Sequence, residues 1–408
     1  MMPRSACLLL LAAGAALAQP SPRTVTSTPV TPRVIVEATN PLGSAREDEV
    51  LSLDWGALRR RLPSLSASAV RVVEAASGRE APSQVLDLDV DGTPEALLVL
   101  APFWPNETRR FAIEARAPDS AYAARVHARH DAERDDLAWE SDRIAFRTYG
   151  KGLWRLEQDV ISSGIDVWPK RTRALILERW YAAGHDAYHR DTGEGADFFS
   201  VGQTLGGGGT ALWDGQRLVR AHNFAAYRIL ADGPIRTVFE LTYEPVEAGG
   251  VRVQETKRFT MDAGQHLFRQ ESTFRAEGAD SVTYAIGLVK RADVTGSFNS
   301  AGPWAWVSLW GPVAVSTGGN VGGHGDLGTA VMLERPRMRG LVDENRHVLA
   351  LGRARSGVPV VHYVGAGWTA SRDFADVADW WAFLNRQAQR LGAPIRVTLV
   401  NETARAGG

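Results

Sequence analysis

From Tyr227 to Val289 the chain is a succession of short strand-like segments, many of them alternating polar with apolar residues, parted by turn residues. They are Tyr227 to Leu230, Thr237 to Tyr243, Val251 to Phe259, Leu267 to Phe274 and Val282 to Val289. A period of two sends successive side chains to opposite faces, so a chain dominated by it folds into antiparallel sheets with a core face and a wet face. Arg143 to Phe146 and Ala174 to Leu177 extend the same pattern upstream.

Nearer the start, Val34 to Val36, Val50 to Leu53, Val70 to Val73, Ala96 to Leu100 and Phe111 to Ile113 are short apolar runs separated by turn residues. Their spacing predicts a small β-sandwich over 34–118. Inside it, Asp87-Leu88-Asp89-Val90-Asp91-Gly92 begins like a calcium loop, but Leu98 stands where the closing Glu belongs, so a hairpin turn is expected. The charged, His/Arg-rich stretch 119–135 reads as a linker, followed by a larger domain over 136–408. One helix is expected: Asp373 can cap it, Phe374, Val377, Trp381, Leu384, Ala388 and Leu391 share a face, and Gly392 and Pro394 stop it. Ile395 to Val400 reads as a closing strand. The fold class is mainly all-β, a small sandwich followed by a larger β domain with a C-terminal helix.

Met1-Met2-Pro3-Arg4, the apolar run to Leu17 and the small residues around Ala18 read as a signal peptide over 1–18, with a flexible leader over 19–33. A periplasmic or secreted location follows. Cleavage there would remove Cys7, the one cysteine, and with it thiolate chemistry and disulfides. No other run approaches eighteen apolar residues, so no membrane insertion is expected. With 46 basic against 47 acidic residues, no excess charge points to nucleic acid.

The most chemically dense stretch is Tyr188-His189-Arg190-Asp191-Thr192-Gly193-Glu194-Gly195-Ala196-Asp197, continuing to Gly206 through Gly209. It matches neither a dinucleotide fingerprint nor a P-loop, since Thr210-Ala211 stand where Lys and Ser/Thr are required. No cofactor is required; if a cation binds, Asp191, Glu194 and Asp197 suit calcium. His185 and His189 would share a face only in a helix, and the neighbouring glycines argue for a loop. Acid/base chemistry is the third reading, with Tyr188, His189 and Glu194 as catalytic candidates and Asp197 beside them. Outside the stretch, extended Trp139-Glu140-Ser141-Asp142-Arg143 puts Trp139 and Arg143 on one face and Glu140 on the other. Arg143 suits a substrate carboxylate or a structural ion pair, and Lys257 shares a strand face with Glu255 as a sugar contact or a solvated pair.

Asp135 to Arg147, Gly164 to Trp168, the stretch from Tyr188 to Gly209, Gly233 to Phe239 and Glu255 to Arg258 together resemble a family of exported bacterial proteins grouped as a domain of unknown function. Members accompany polysaccharide-degrading enzymes, notably in pectin and other uronic-acid systems. The resemblance implies a galactose-mutarotase-like β-supersandwich for the larger domain and a carbohydrate ligand. The expected function is then an exported enzyme acting on uronate-containing oligosaccharides. In a β-eliminating lyase Arg143 would neutralise the substrate carboxylate, His189 would be the base and Tyr188 the acid, with Glu140, Trp139, Asp197 and Lys257 as further substrate contacts. Adjacent residues on an extended backbone point apart, so Tyr188 and His189 can serve one substrate only if the chain turns between them. Glycoside hydrolysis by two carboxylates, a mutarotase and a non-enzymatic sugar-binding protein are the alternatives.

Overall fold

The structure is a computed structural model and describes residues 32–156, 162–313 and 323–400. The expected signal peptide and nearly all of the leader lie outside the described residues. All strand ladders are antiparallel.

A small sandwich opens the fold. One sheet runs in the order Arg396–Val400, Arg33–Thr39, Thr108–Glu114, Arg71–Glu74, and the other in the order Arg46–Asp54, Ala96–Phe103, Ser83–Leu86. Val36, Val72, Leu97, Val99, Phe103, Phe111 and Ile113 fill the space between them. The last strand is thus part of the first sandwich: Val400 pairs with Ile35 and Arg396 with Thr39, giving the edge of Arg33–Thr39 a partner. Asp87 to Glu95 makes the hairpin turn, with Asp87 accepting from Gly92 N and Glu95 from Leu88 N, and the carboxylates of Asp87, Asp89 and Glu95 gather within 4.8 Å.

The larger part is a β-supersandwich. A nine-stranded sheet is built around Val251–Asp262, Leu267–Ala276 and Val360–Trp368. Half of its inner face packs on a five-stranded sheet. The other half packs on a four-stranded sheet ordered Asp166–Pro169, Ile144–Tyr149, Asp136–Ser141, Val126–Asp131. The stretch expected to be a linker therefore supplies the strand Val126–Asp131, held to Asp136–Ser141 from Val126↔Ser141 to Asp131↔Asp136. Ala174 to Leu177 is not a strand; it leads into the helix Leu177–Ala183, whose first backbone N–H groups bond Glu140.

On the outer face of the large sheet lies the helix Val377–Gly392, capped by Asp376, which accepts from Ala378 N at 2.8 Å and Asp379 N at 3.0 Å. It buries Trp380, Leu384 and Ala388 against Trp306, Trp310, Ala330 and Met332. Trp380 needs two glycines beneath it: a Cβ on Gly328 would stand 2.6 Å from its Nε1, and one on Gly367 2.7 Å from its Cε3. Among the described residues no helix is long and apolar enough to cross a membrane.

Candidate active site

The four-stranded sheet separates polar from apolar by alternation. Leu137, Trp139, Phe146 and Val167 turn to the core, where Trp139 meets Phe239, Phe259 and Phe268 with ring centroids at 5.1 Å. The opposite face carries Asp136 and Glu140 on one strand, Arg147 and Tyr149 on the next, and Asp166, Trp168 and then Lys170 on the third. Ala138 and Ala145 on that face leave space, and two large side chains use it. Arg147 lies over the Trp168 ring at 4.8 Å, and Trp168 stacks on Tyr188 at 4.8 Å.

Arg147 is the hub. It donates to Asp166 Oδ2 through Nε at 3.0 Å and Nη2 at 2.6 Å, to Asp197 Oδ2 at 2.7 Å and to the Tyr188 hydroxyl at 3.1 Å. Tyr149 and the Trp168 indole also donate to Asp166 Oδ2, at 2.9 and 3.1 Å. Asp136 stands 3.6 Å from Arg147 and 3.4 Å from Arg134, fully buried, with no hydrogen bond to either oxygen among the described residues. Burial pushes Asp136 up to about 6 against the pull of both arginines. Burial and then the Asp197 charge push Asp166 up to about 6 as well.

Over this face fold the helix Leu177–Ala183, the single helical turn His185–Tyr188 and the glycine-rich loop. Asp191 shapes the loop by accepting from Gly193 N at 2.8 Å and Gly195 N at 3.1 Å. Gly195, at φ +113°, bridges to Lys170 so closely that a Cβ would stand 2.2 Å from the Pro169 carbonyl oxygen. The glycine serves backbone contact between loop and sheet.

The helical turn overturns the loop expected around His185. With His185 and His189 four residues apart on one turn, their rings sit 4.5 Å apart. The same turn answers the difficulty of Tyr188 and His189: their rings lie 4.8 Å apart. His189 donates from Nδ1 to the His185 carbonyl at 2.8 Å and meets Asp197 Oδ2 through Nε2 at 3.1 Å.

The two histidines are tuned in opposite directions. Burial, followed by the charges of Arg134 and His189, presses His185 below the ordinary imidazole value. Burial also works against charge on His189, but its hydrogen bond and charge contact with Asp197 prevail and raise it. Tyr188 is pushed up to about 12 by burial, against Arg147 and Arg134. Burial and Asp197 thus set the two imidazoles apart, His185 toward its neutral form and His189 toward its charged form, beside a phenol that stays protonated at neutral pH. His185 is 43% and His189 13% exposed, so the edge open to solvent is the one bearing the pair.

The other sequence candidates go elsewhere. Arg143 lies beyond the opposite end of the strand Asp136–Ser141, roughly 20 Å from Asp136 at the usual strand rise, and pairs with Asp48 at 3.4 Å and Asp373 at 3.2 Å. Glu140 is fully buried, holding Lys170 at 2.6 Å and accepting from Ile176 N and Leu177 N. Trp139 is core. Lys257 is equally inaccessible, 3.8 Å from Glu255 and 4.2 Å from the Tyr243 ring centroid, on the inner rather than the wet face of its strand. Glu194 binds Arg179 at 2.8 and 3.0 Å and the Trp180 indole at 3.3 Å; those bonds depress its carboxyl, which leaves it ionised and a poor acid. Asp191 pairs with Arg171 and Asp197 with Arg147, so Asp191, Glu194 and Asp197 each face a different arginine instead of converging on one cation. Sequence reasoning missed Arg147, Asp166, Tyr149, Asp136 and Arg134. Their signal was present in the alternation of Arg147 with Tyr149 and of Asp166 with Trp168 on short strands.

Comparison with known proteins fits this architecture. The chain is 28% identical over 341 residues to the Uncharacterized protein P7 of Formosa agariphila, an alignment covering 78% of this chain and 81% of that protein. Among solved structures, a protein in the Glycosyl Hydrolase Family 38 from Enterococcus faecalis superposes with a TM-score of 0.52 at 8% identity, covering 90% of this chain. The chain spans about half the length of that structure, 47%. At this identity the likeness is one of fold. The model of the family described as Domain of unknown function (DUF4861) matches residues 38–397, through both the small sandwich and the whole of the site, and the chain belongs to that family.

Proposed function

We propose that this chain is an exported carbohydrate-active enzyme that cleaves uronate-containing oligosaccharides by β-elimination. The observation that carries the reading is the pair of imidazoles 4.5 Å apart, one favoured neutral and one favoured charged, at the open edge of a buried polar network. Elimination needs a base for the proton at C5, a cation near the substrate carboxylate and an acid for the leaving oxygen. His185, neutral, takes the C5 proton. The electron pair forms the C4–C5 double bond as the C4–O bond breaks, and the departing oxygen takes the proton of His189. Solvent then reprotonates His189 and deprotonates His185. Arg134, close enough for its charge to act on His185 and Tyr188, supplies the cation in place of Arg143. Asp197 favours the charged form of His189, and Arg147, itself held by Asp166, fixes Asp197 and Tyr188 in turn. The fold shared with a glycosyl hydrolase family 38 protein supports a carbohydrate ligand, and the resemblance to proteins of uronic-acid systems supports uronates within that class.

Incubation with galacturonate and glucuronate oligosaccharides tests the proposal. Unsaturated products should appear in the ultraviolet enol-ether band, and His185→Ala and His189→Ala should each lower kcat by about 10²–10⁴ while circular dichroism stays unchanged. Reducing ends without that absorbance would assign hydrolysis instead. Full activity in both variants would remove the histidines from the chemistry.

A further inference from the structure

A built cleft lies on the outer face of the large sheet. It has a volume of about 440 Å³ and is bounded by the small sandwich at Asp48 and Glu49, the sheet at Arg236, Asp262, Arg269, Trp304 and Tyr363, and the C-terminal helix at Arg390. That volume lies within the range of ligand clefts, about 300–1,000 Å³. It adjoins a further 300 Å³ cavity through shared Asp48, Gln265, Gln387 and Arg390. There His266, 94% buried by its 6% exposure, meets Asp373 through Nε2 at 3.1 Å and has no partner for Nδ1 among the described residues. Neither cavity includes a residue of the histidine site. Ser141, at the far end of the strand that begins at Asp136, donates to the Gln265 carbonyl at 2.7 Å, so the sites are separated by roughly 20 Å of strand.

The charges of the main cleft balance: Arg236, Arg269 and Arg390 face Asp48, Glu49 and Asp262. Each arginine is already held. Arg236 donates to both oxygens of Asp262 at 2.6 and 2.7 Å, Arg390 to Glu49 at 2.7 Å, and Arg269 pairs with Glu271 at 2.5 Å. A uronate would have to break one of these pairs to find a cation, whereas hydroxyl groups can bond to paired guanidinium and carboxylate groups as they stand. Trp304 and Tyr363, edge to face at 5.4 Å and both partly exposed, give the cleft an aromatic floor for the apolar face of a sugar ring. We infer that this cleft is a binding site for neutral sugar units of an oligosaccharide, separate from the reaction at the histidines.

The test is calorimetric titration of the full chain with neutral tetrasaccharides of gluco, manno, galacto and xylo configuration, and with tetragalacturonate. At least one neutral tetrasaccharide should bind, with an affinity unchanged as NaCl rises from about 0.05 to 0.5 M. Trp304→Ala should weaken it about tenfold or more, Trp304→Phe should retain most of it, and His189→Ala should leave it intact. The inference is overturned if none of the neutral sugars binds, if Trp304→Ala binds as well as the parent, or if only tetragalacturonate binds. Because the readout is binding at Trp304, its outcome is independent of whether elimination occurs at His185 and His189.

Discussion

Asp197 decides what His189 can do. The carboxylate sits 3.1 Å from Nε2 and is itself pinned by Arg147 at 2.7 Å, so its charge is directed at the imidazole. If His185 must be neutral and His189 charged, activity rises as pH climbs through the lowered value of His185. It falls as pH climbs through the raised value of His189, giving a bell that spans the ordinary imidazole value of about 6.5. Asp197→Asn removes the charge that raises His189, and the alkaline limb of kcat/KM should move to lower pH while the acid limb stays. An unmoved alkaline limb would assign it to another group. At this scale the sequence was half legible: Tyr188, His189 and Asp197 were visible as candidates, but His185 was set aside because flanking glycines argued against a helix. A single helical turn is too short to show periodicity, so local pattern could not recover it. Glu140, Trp139 and Lys257 misled for a related reason. Alternation tells which residues share a face, and only the packing of sheets tells which face is covered.

The glycine-rich loop and the small sheet beneath it form one working element. Gly193 and Gly195 both have positive φ, +110° and +113°, so an alanine at either bears similar backbone strain. A Cβ at Gly195 also meets Pro169 O at 2.2 Å, whereas one at Gly193 meets nothing within 4 Å. Gly195→Ala should therefore lower both the melting temperature and kcat well beyond Gly193→Ala. Equal effects would show that strain alone, and not docking onto Pro169 and Lys170, is what the loop requires. The strand elements themselves were largely readable, because alternation over Val251 to Phe259 or Leu267 to Phe274 survives as the buried and half-exposed faces of long strands. Ala174 to Leu177 was not, since only Ile176 and Leu177 bury, at a helix start whose backbone N–H groups bond a distant Glu140.

At the scale of the whole molecule, the last described strand returns to the first. Arg396–Val400 completes the sheet of Arg33–Thr39, Arg46 donates to the Ala393 carbonyl, and Gln84 accepts from Ile235 N and Arg236 N, each at 2.8 Å. No local pattern announces such returns, which is why the discontinuous sandwich was not legible in the sequence. The stitching predicts that urea unfolding follows one transition by tryptophan fluorescence and by far-ultraviolet dichroism; two separated transitions would mean that the sandwiches unfold apart. The central claim of the account remains the opposed tuning of two adjacent imidazoles. Nuclear magnetic resonance titration of the histidine ring protons, assigned with His185→Gln and His189→Gln, measures it most directly. His185 should titrate below about 6.5 and His189 above it, with His189 falling toward the ordinary value in Asp197→Asn. Reversed order, or two histidines titrating together near the ordinary value, would contradict the assignment of base and acid.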